Sequence, residues 1–247
     1  MIKAFVIFGA VAVFFALGRL FPFAKLTGYH RAIKNISLAA FNIVLSPLIV
    51  LPISLYASQH AFAWRPEWWS GWSGLALDLL LLDVWIYWWH RANHEVPFLW
   101  RFHEVHHLDE TLDATSALRF HFGEVLCSSL VRALVIFVLN VPFSSVAVFE
   151  TVIAVATIFH HSNLRMSPSF ERALSRVIVT PSIHWVHHHA LRRDTDSNYS
   201  TFLSVWDHLF SSRSKTVRSV EMPIGVEGKQ DDDLIGLVTR PFPRIGK

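Results

Sequence analysis

Residues 73–107 read SGLALDLLLLDVWIYWWHRANHEVPFLWRFHEVHH. The first half, residues 73–90, approaches the roughly 20 apolar residues that a membrane-spanning helix needs. The second half starts at the end of that run and carries His90, His94, His103, His106 and His107. Residues at i, i+3 and i+4 share one face of a helix. His90 and His94 can therefore aim at one point, and so can His103 with His106 or His107. Neighbouring residues diverge by about 100° around a helix, so the pair His106-His107 could serve two metal ions from one helix.

A further cluster, H-W-V-H-H, places His184, His187 and His188 in the same spacing. Of 15 histidines in 247 residues, 12 lie between positions 90 and 189. An isolated histidine is ordinarily a satisfied surface or core residue, and His30, His60 and His208 read that way. Two H-x-x-H-H boxes and an H-x-x-x-H box in one short chain read as metal ligands. His189 falls off the face shared by His184 and His188 and is left out. The second box, H-E-V-H-H, is one residue too short for the H-E-x-x-H motif of zinc proteases.

The rest of the chain fits a bilayer. Hydrophobic residues make up 52% and charged residues 17%, against roughly 45–50% and about 25% in soluble domains. Mean hydropathy is +0.36. Residues 2–22 form a first apolar run, read as a retained span because no small-residue cleavage site follows. Residues 37–57 form a second, interrupted by Pro47 and Pro52. Residues 73–90 are the third. Residues 125–159 hold two spans or a re-entrant hairpin around Asn140-Val141-Pro142. Trp64, Trp68, Trp69 and Trp72 suit a loop lying on the bilayer surface. The expected fold is therefore all-α, an integral membrane helical bundle with a histidine-rich helical cap. Residues 1–80 would form N-terminal transmembrane helices, 81–212 a catalytic domain and 213–247 a C-terminal tail.

Orientation follows from Arg19, Lys25, Arg31 and Lys34, which flank the first connection without an acidic residue among them. The positive-inside rule puts that connection in the cytosol. Counting spans then places His90, the later histidines and the tail on the cytosolic face of a multi-pass protein. The single cysteine, Cys127, precludes an internal disulfide and leaves too few thiolates for a cysteine-ligated iron–sulfur cluster.

Asp83, Tyr87, His90 and His94 recur at i, i+4, i+7 and i+11, on one helix face. A carboxylate beside a ligating imidazole can accept its other N–H and fix its tautomer, the role expected of Asp83. Asp78 lies nearer the outer half and is the weaker candidate.

The ordered boxes resemble the fatty acid hydroxylase/sterol desaturase superfamily over roughly residues 80–212. His90 and His94 match its first box, and His103, His106 and His107 its second. T-P-S-I-H-W-V-H-H, with His184, His187 and His188, matches its last. R-F-H-F-G-E resembles the family's R-x-H-P-x-E, which makes His121 a ligand and Glu124 its neighbour. F-H-H-S-N-L-R resembles H-x-N-x-R, aligning His161, with His160 as the alternative and Asn163 close by. D-S-N-Y and W-D-H-L-F resemble D-x-N-Y-G and W-D-x-x-F-G-T. The departures are Phe122 for proline, Ser200 for glycine, and Ser211-Ser212 for Gly-Thr.

The resemblance implies a di-iron centre of ten histidine ligands beneath a cytosolic cap, used with molecular oxygen and an external electron donor. The product would be a hydroxylated or desaturated lipid, such as a sterol or fatty acyl chain. Iron comes from the resemblance alone, since imidazole suits zinc, copper and nickel equally; zinc can occupy the isolated protein. The rival classes are a non-redox zinc-binding membrane protein and a metal transporter. A transporter would set its ligands at the bilayer midplane, whereas these boxes follow the end of a span. No nucleic-acid partner is expected.

Overall fold

The computed structural model describes residues 2–26 and 28–242. The last positions of the expected tail, residues 243–247, lie outside the described residues. Among the described residues every regular element is helical, and extended contacts are limited to isolated bridges. The chain opens with α1 (Ile2–Leu20), α2 (Tyr29–Leu45), a π-turn (Ser46–Val50) and α3 (Leu51–Gln59). It continues with α4 (Gly71–Glu95), α5 (Pro97–His107) and a 3-10 turn (Ala114–Leu118). Next come α6 (Phe122–Leu139), α7 (Phe143–His161), α8 (Pro168–Leu174) and α9 (Pro181–His187). Short helices α10 (Arg192–Thr195), α11 (Val205–Leu209) and α12 (Leu234–Thr239) complete it.

Four stretches are long and apolar enough to cross a membrane: Ile2–Leu20, Tyr29–Gln59, Phe122–Leu139 and Phe143–His161. The second is one continuous helix through both prolines. Pro47 and Pro52 have no N–H to give, and the ladder between them widens, so that Leu51 N–H bonds back to Ser46 O. Such π-turns absorb a local misfit without ending the helix. The region 125–159 resolves into two full-length helices. Asn140 turns the chain between them in the left-handed conformation (φ 51°), which asparagine tolerates better than most residues. Residues 73–90, expected as a span, lie within the 25-residue helix α4. It falls outside the four apolar stretches, as Asp78, Asp83 and its Trp- and Tyr-rich second half make it more polar. The division expected at 80/81 falls inside this helix.

Packing is layered along the bundle. At one end Ala57, Leu82, Ile136, Val141, Val146 and Phe149 bring α3, α4, α6 and α7 together. Asp78 is buried there, accepting from Ser145 Oγ (2.6 Å), from Trp69 Nε1 (3.0 Å) and from Arg65. Trp69 is consequently buried within the protein, because an interior carboxylate must collect donors. Trp64, Trp68 and Trp72 remain exposed. The N-terminal α1 lays Ile7, Val11 and Phe14 against Ile158 and the 3-10 turn, and leaves Ile2, Phe5, Phe8 and Val13 facing outward.

The tail is a strap. Leu237 of α12 is fully buried with Leu38 of α2, Val105 of the second histidine box and Leu108 just after it. Glu104 takes Lys229 and Arg240 from the tail. Arg119, completely buried, reaches Asp231 and donates Nε–H to Val105 O at 2.8 Å.

Candidate metal centre

Four helix ends converge on one buried point. The C-terminal turns of α4, α5 and α7 meet α9, whose N-terminus begins at Pro181. Nine histidines fall into two groups within which the candidate ligand nitrogens lie no more than 4.8 Å apart. One group holds His90, His94, His103, His107 and His187; the other holds His106, His161, His184 and His188. Each H-x-x-H-H box divides between the groups, as the helical divergence of adjacent residues requires. All nine are buried.

The second group is tight. His161 Nε2 lies 3.0 Å from His106 Nε2, 3.2 Å from His188 Nε2 and 3.0 Å from His184 Nε2. Four nitrogens bonded at 2.0–2.1 Å to a tetrahedral ion would stand about 3.3 Å apart. The protonation pattern makes the same point. His106 Nδ1–H donates to Arg119 O (3.2 Å) and His161 Nδ1–H to Thr157 O (2.7 Å). A carbonyl can only accept, so each ring carries its proton on Nδ1 and turns a bare lone pair inward. Two lone pairs at 3.0 Å repel unless a cation lies between them. The residues present fit a metal ion.

Three rings of the first group, His90, His103 and His187, are oriented alike. His90 Nδ1–H donates to Tyr199 O (2.8 Å) and His187 Nδ1–H to Ser197 O (2.6 Å). His103 Nδ1–H meets Glu124 Oε1 at 2.9 Å, and His94 Nδ1 lies 3.4 Å from Asp196. Acceptors on the outward nitrogen fix ring orientation and raise ligand basicity. Burial, and then the neighbouring imidazoles, hold His107, His184, His187 and His188 well below the ordinary histidine range. They are neutral at physiological pH, the state in which imidazole can ligate.

The structure separates four expected residues from this centre. His121 caps α6: its Nδ1 accepts from Gly123 N–H (2.9 Å) and its Nε2–H donates to Val238 O (3.0 Å). Both nitrogens are used, and the residue belongs to neither group. Asp83 contacts no histidine. It accepts from Trp206 Nε1 (2.7 Å) and Leu203 N (3.1 Å), tying α4 to the segment before α11. Asn163 holds the first connection instead, through Phe23 N, Ala24 N and Ala24 O. Tyr87 likewise binds Ser212 Oγ at 2.8 Å and packs its ring at a tilt against Phe210. Glu124 alone among these partners touches an imidazole. His160 lies against the second group, its ring centroid 3.9 Å from that of His184, while His161 sits within it. His189 pairs with Asp194 at 2.7 Å outside both groups, and His30, His60 and His208 are exposed.

The contacts missed from sequence are backbone ones. Within the segment 196–199, D-S-N-Y, the carbonyls of Ser197 and Tyr199 accept from His187 and His90. Asn198 sits at φ 53° and donates Nδ2–H to Ile183 O at 3.2 Å. The motif was legible as a pattern, but carbonyl roles leave no residue-type signal. The departures from the family pattern have local answers. Phe122 is the first residue of α6, where proline is favoured but not required. Ser211 adopts φ 55°, a conformation that glycine takes freely and serine at about 1 kcal/mol or more. Ser200 N–H donates to Asp207 Oδ2 (3.1 Å), and Asp207 N–H to Ser200 Oγ (3.2 Å).

A cavity of about 390 Å3 opens beside the histidines. His90, His103, His106, His160, His161 and His184 line its inner end, and α1, α2, α4, α6 and α7 supply mostly apolar walls.

Comparison with known proteins agrees with this geometry. The fatty acid hydroxylase family profile matches residues 75–212, and the chain belongs to that family. An ornithine lipid hydroxylase, OlsE, of Rhizobium tropici is 27% identical over 202 residues, covering 81% of this chain and 60% of that protein. The alkylglycerol monooxygenase of Danio rerio is 30% identical over 215 residues, 81% of this chain and 46% of that protein. The cholesterol 25-hydroxylase of Mus musculus is 26% identical over 207 residues, 83% and 63% respectively. The chain thus spans about half to three-fifths of the length of these relatives. No solved structure matches.

Proposed function

We propose that this chain is a membrane-bound di-iron oxidoreductase that uses molecular oxygen and an external electron donor to hydroxylate, or desaturate, a lipid. The observation that carries this reading is the convergence of nine buried imidazoles into two adjacent groups at the head of an apolar cavity, with the proton of His90, His103, His106, His161 and His187 held on the outward Nδ1. His90, His94, His103, His107 and His187 would hold one iron; His106, His161, His184 and His188 the other. The names of these three relatives, two hydroxylases and a monooxygenase, support a lipid substrate.

Bound there, an iron pair supplies activation of oxygen for attack on an unreactive C–H bond. The chain's own residues do the rest. Tyr199, Ser197, Arg119 and Thr157 carbonyls and the Glu124 carboxylate keep imidazole protons on the outward nitrogens. The buried helix ends exclude water. The walls of α6 and α7 admit a chain from the bilayer and direct one methylene toward the inner end.

The histidine face is assigned to the cytosol. Support comes from the basic first connection, which binds Asn163 next to α7's histidine end. Two of its cations are spoken for, Arg31 by Asp109 and Asp113 and Lys34 by Asp231, but basic residues orient a protein with little regard to acidic neighbours.

The test is expression in membranes given a reductase and isotopically labelled oxygen, followed by mass spectrometry of the lipids. Label in a new hydroxyl group supports hydroxylation, and an unlabelled new double bond supports desaturation. Neither product from protein holding two irons overturns the reading. Protease digestion of a C-terminal tag in sealed right-side-out vesicles would overturn the orientation.

A further inference from the structure

The far end of the cavity is charged. Lys3, Arg132 and Glu150 all line it, and they stand on α1, α6 and α7, three of the four apolar stretches. Arg132 and Glu150 lie well inside their helices, where ionisable groups are costly and usually functional, while Lys3 stands in the first turn of α1. Glu150 takes Lys3 on one oxygen and Arg132 Nη2 on the other, the latter at 2.8 Å. Two cations share one carboxylate, so the cluster carries one unbalanced positive charge. Arg132 commits one nitrogen to Glu150, and its buried Nε has no hydrogen-bond partner.

The cavity joins this cluster to the histidines. Along α7, Glu150, Ile153, Ala154, Thr157, Ile158 and His161 all line it, a single face at i, i+3, i+4, i+7, i+8 and i+11. At 1.5 Å per residue, Glu150 and His161 are roughly 16 Å apart along the helix axis. Along α6 the distance from Glu124 to Arg132 is roughly 12 Å by the same rise. Between the two ends Ile7, Trp85, Ile86, Val125, Phe149 and Ile153 make the walls largely apolar. The space is therefore a chain-shaped slot with histidines at one end and a surplus cation at the other.

We propose that Arg132, flanked by Lys3 and Glu150, is the docking point for an anionic oxygen group at the end of a single-chain lipid. Bound there, a carboxylate or phosphate accepts from Arg132, the chain lies along α7, and a methylene far from the head group reaches the histidine end. Glu150 tempers the site by competing for the same guanidinium. The two sources of such a group are a free fatty acid and a lysophospholipid. This inference rests on the reading of the histidine centre as a lipid-oxidising site, and its test measures binding, so that the two fail separately.

The full-length protein in maltoside micelles is titrated with tritiated palmitic acid, palmitoyl lysophosphatidic acid and hexadecanol, with binding read by scintillation proximity. At least one anion is expected to bind about tenfold or more tightly than hexadecanol, the effect of one charge-assisted hydrogen bond; which one names the source. Arg132→Gln should erase the difference and Arg132→Lys should restore much of it. Glu150→Gln should tighten anion binding, because the competitor has gone. A merely structural ion cluster predicts the opposite for Glu150→Gln, since both Gln variants then loosen the same helix contact. Hexadecanol binding as tightly as both anions, or anion affinity weakening in Glu150→Gln, overturns the proposal. Should Arg132→Gln fail to fold, the direction in Glu150→Gln decides alone. Charge-dependent binding without any lipid oxidation would leave this site standing and remove the proposed activity.

Discussion

His103 gives its Nδ1–H to Oε1 of Glu124 at 2.9 Å while its Nε2 faces Nε2 of His107 at 3.2 Å. A carboxylate in that position makes the imidazole a stronger donor to a metal than a carbonyl would. Glu124→Gln keeps the shape and an acceptor but removes the charge. Metal affinity in chelator competition is expected to fall about 10–100-fold, with membrane insertion unchanged. Unaltered affinity would mean that Glu124 only positions the ring.

Asp83 has the opposite outlook. Its partners are Trp206 and Leu203, so it fastens a loop. Asp83→Asn, whose amide oxygen can still accept both bonds, should be mild. Asp83→Leu strands two buried donors at a cost of about 1–3 kcal/mol each. The melting temperature should drop in Asp83→Leu with the metal content of the folded protein unchanged. Combined with Trp206→Phe, the loss should be less than additive, because one bond is removed twice. Selective metal loss in Asp83→Asn would return this residue to the centre.

The difference between these two carboxylates shows where sequence reading ends. Apolar runs were sufficient to locate α1 and α4, they left 125–159 open between two spans and a hairpin, and helical spacing was sufficient to split His106 from His107. Asp83 shared the face of Tyr87, His90 and His94, but a helix face is wide, and the partner that claimed Asp83 lies 123 positions along the chain. His121 matched a family element, yet the tail's Val238 carbonyl occupies its Nε2. The strap itself was not read, because Leu234, Leu237 and Val238 recur at helical spacing over a helix of only six residues, too short a run to announce a buried element.

That strap bears on the centre mechanically. Leu237 packs on Val105 and Leu108, between and beside the histidines of the second box. Leu237→Ala should cost about 2–5 kcal/mol, seen as a lower melting temperature. Earlier protease cleavage in the tail should accompany it, along with faster metal release to a chelator. Equal metal release from variant and parent would separate the strap from the site.

The division of each box between two groups makes the sharpest demand. His107 belongs to the five-histidine group and His188 to the four-histidine group. Each single change to alanine should therefore lower metal content by up to one ion per chain, at different sites. Each should also abolish lipid oxidation, if both ions act on one oxygen molecule. The apolar stretches that carry insertion are untouched. His189 is unsuitable as a silent control, because it is buried and paired with Asp194, and its loss would unsettle the α10 turn. His30 is exposed on α2, so His30→Ala should keep both metals and full activity. His121→Ala tests the boundary of the centre: its nitrogens serve Gly123 and Val238, so it should keep both metals while lowering the melting temperature. The measurements are elemental analysis per chain, product formation in membranes and melting, on matched amounts of protein. A His121 variant that loses one metal would enlarge the centre to ten histidines, whereas wild-type activity in both His107→Ala and His188→Ala would show that the two groups are not a catalytic pair.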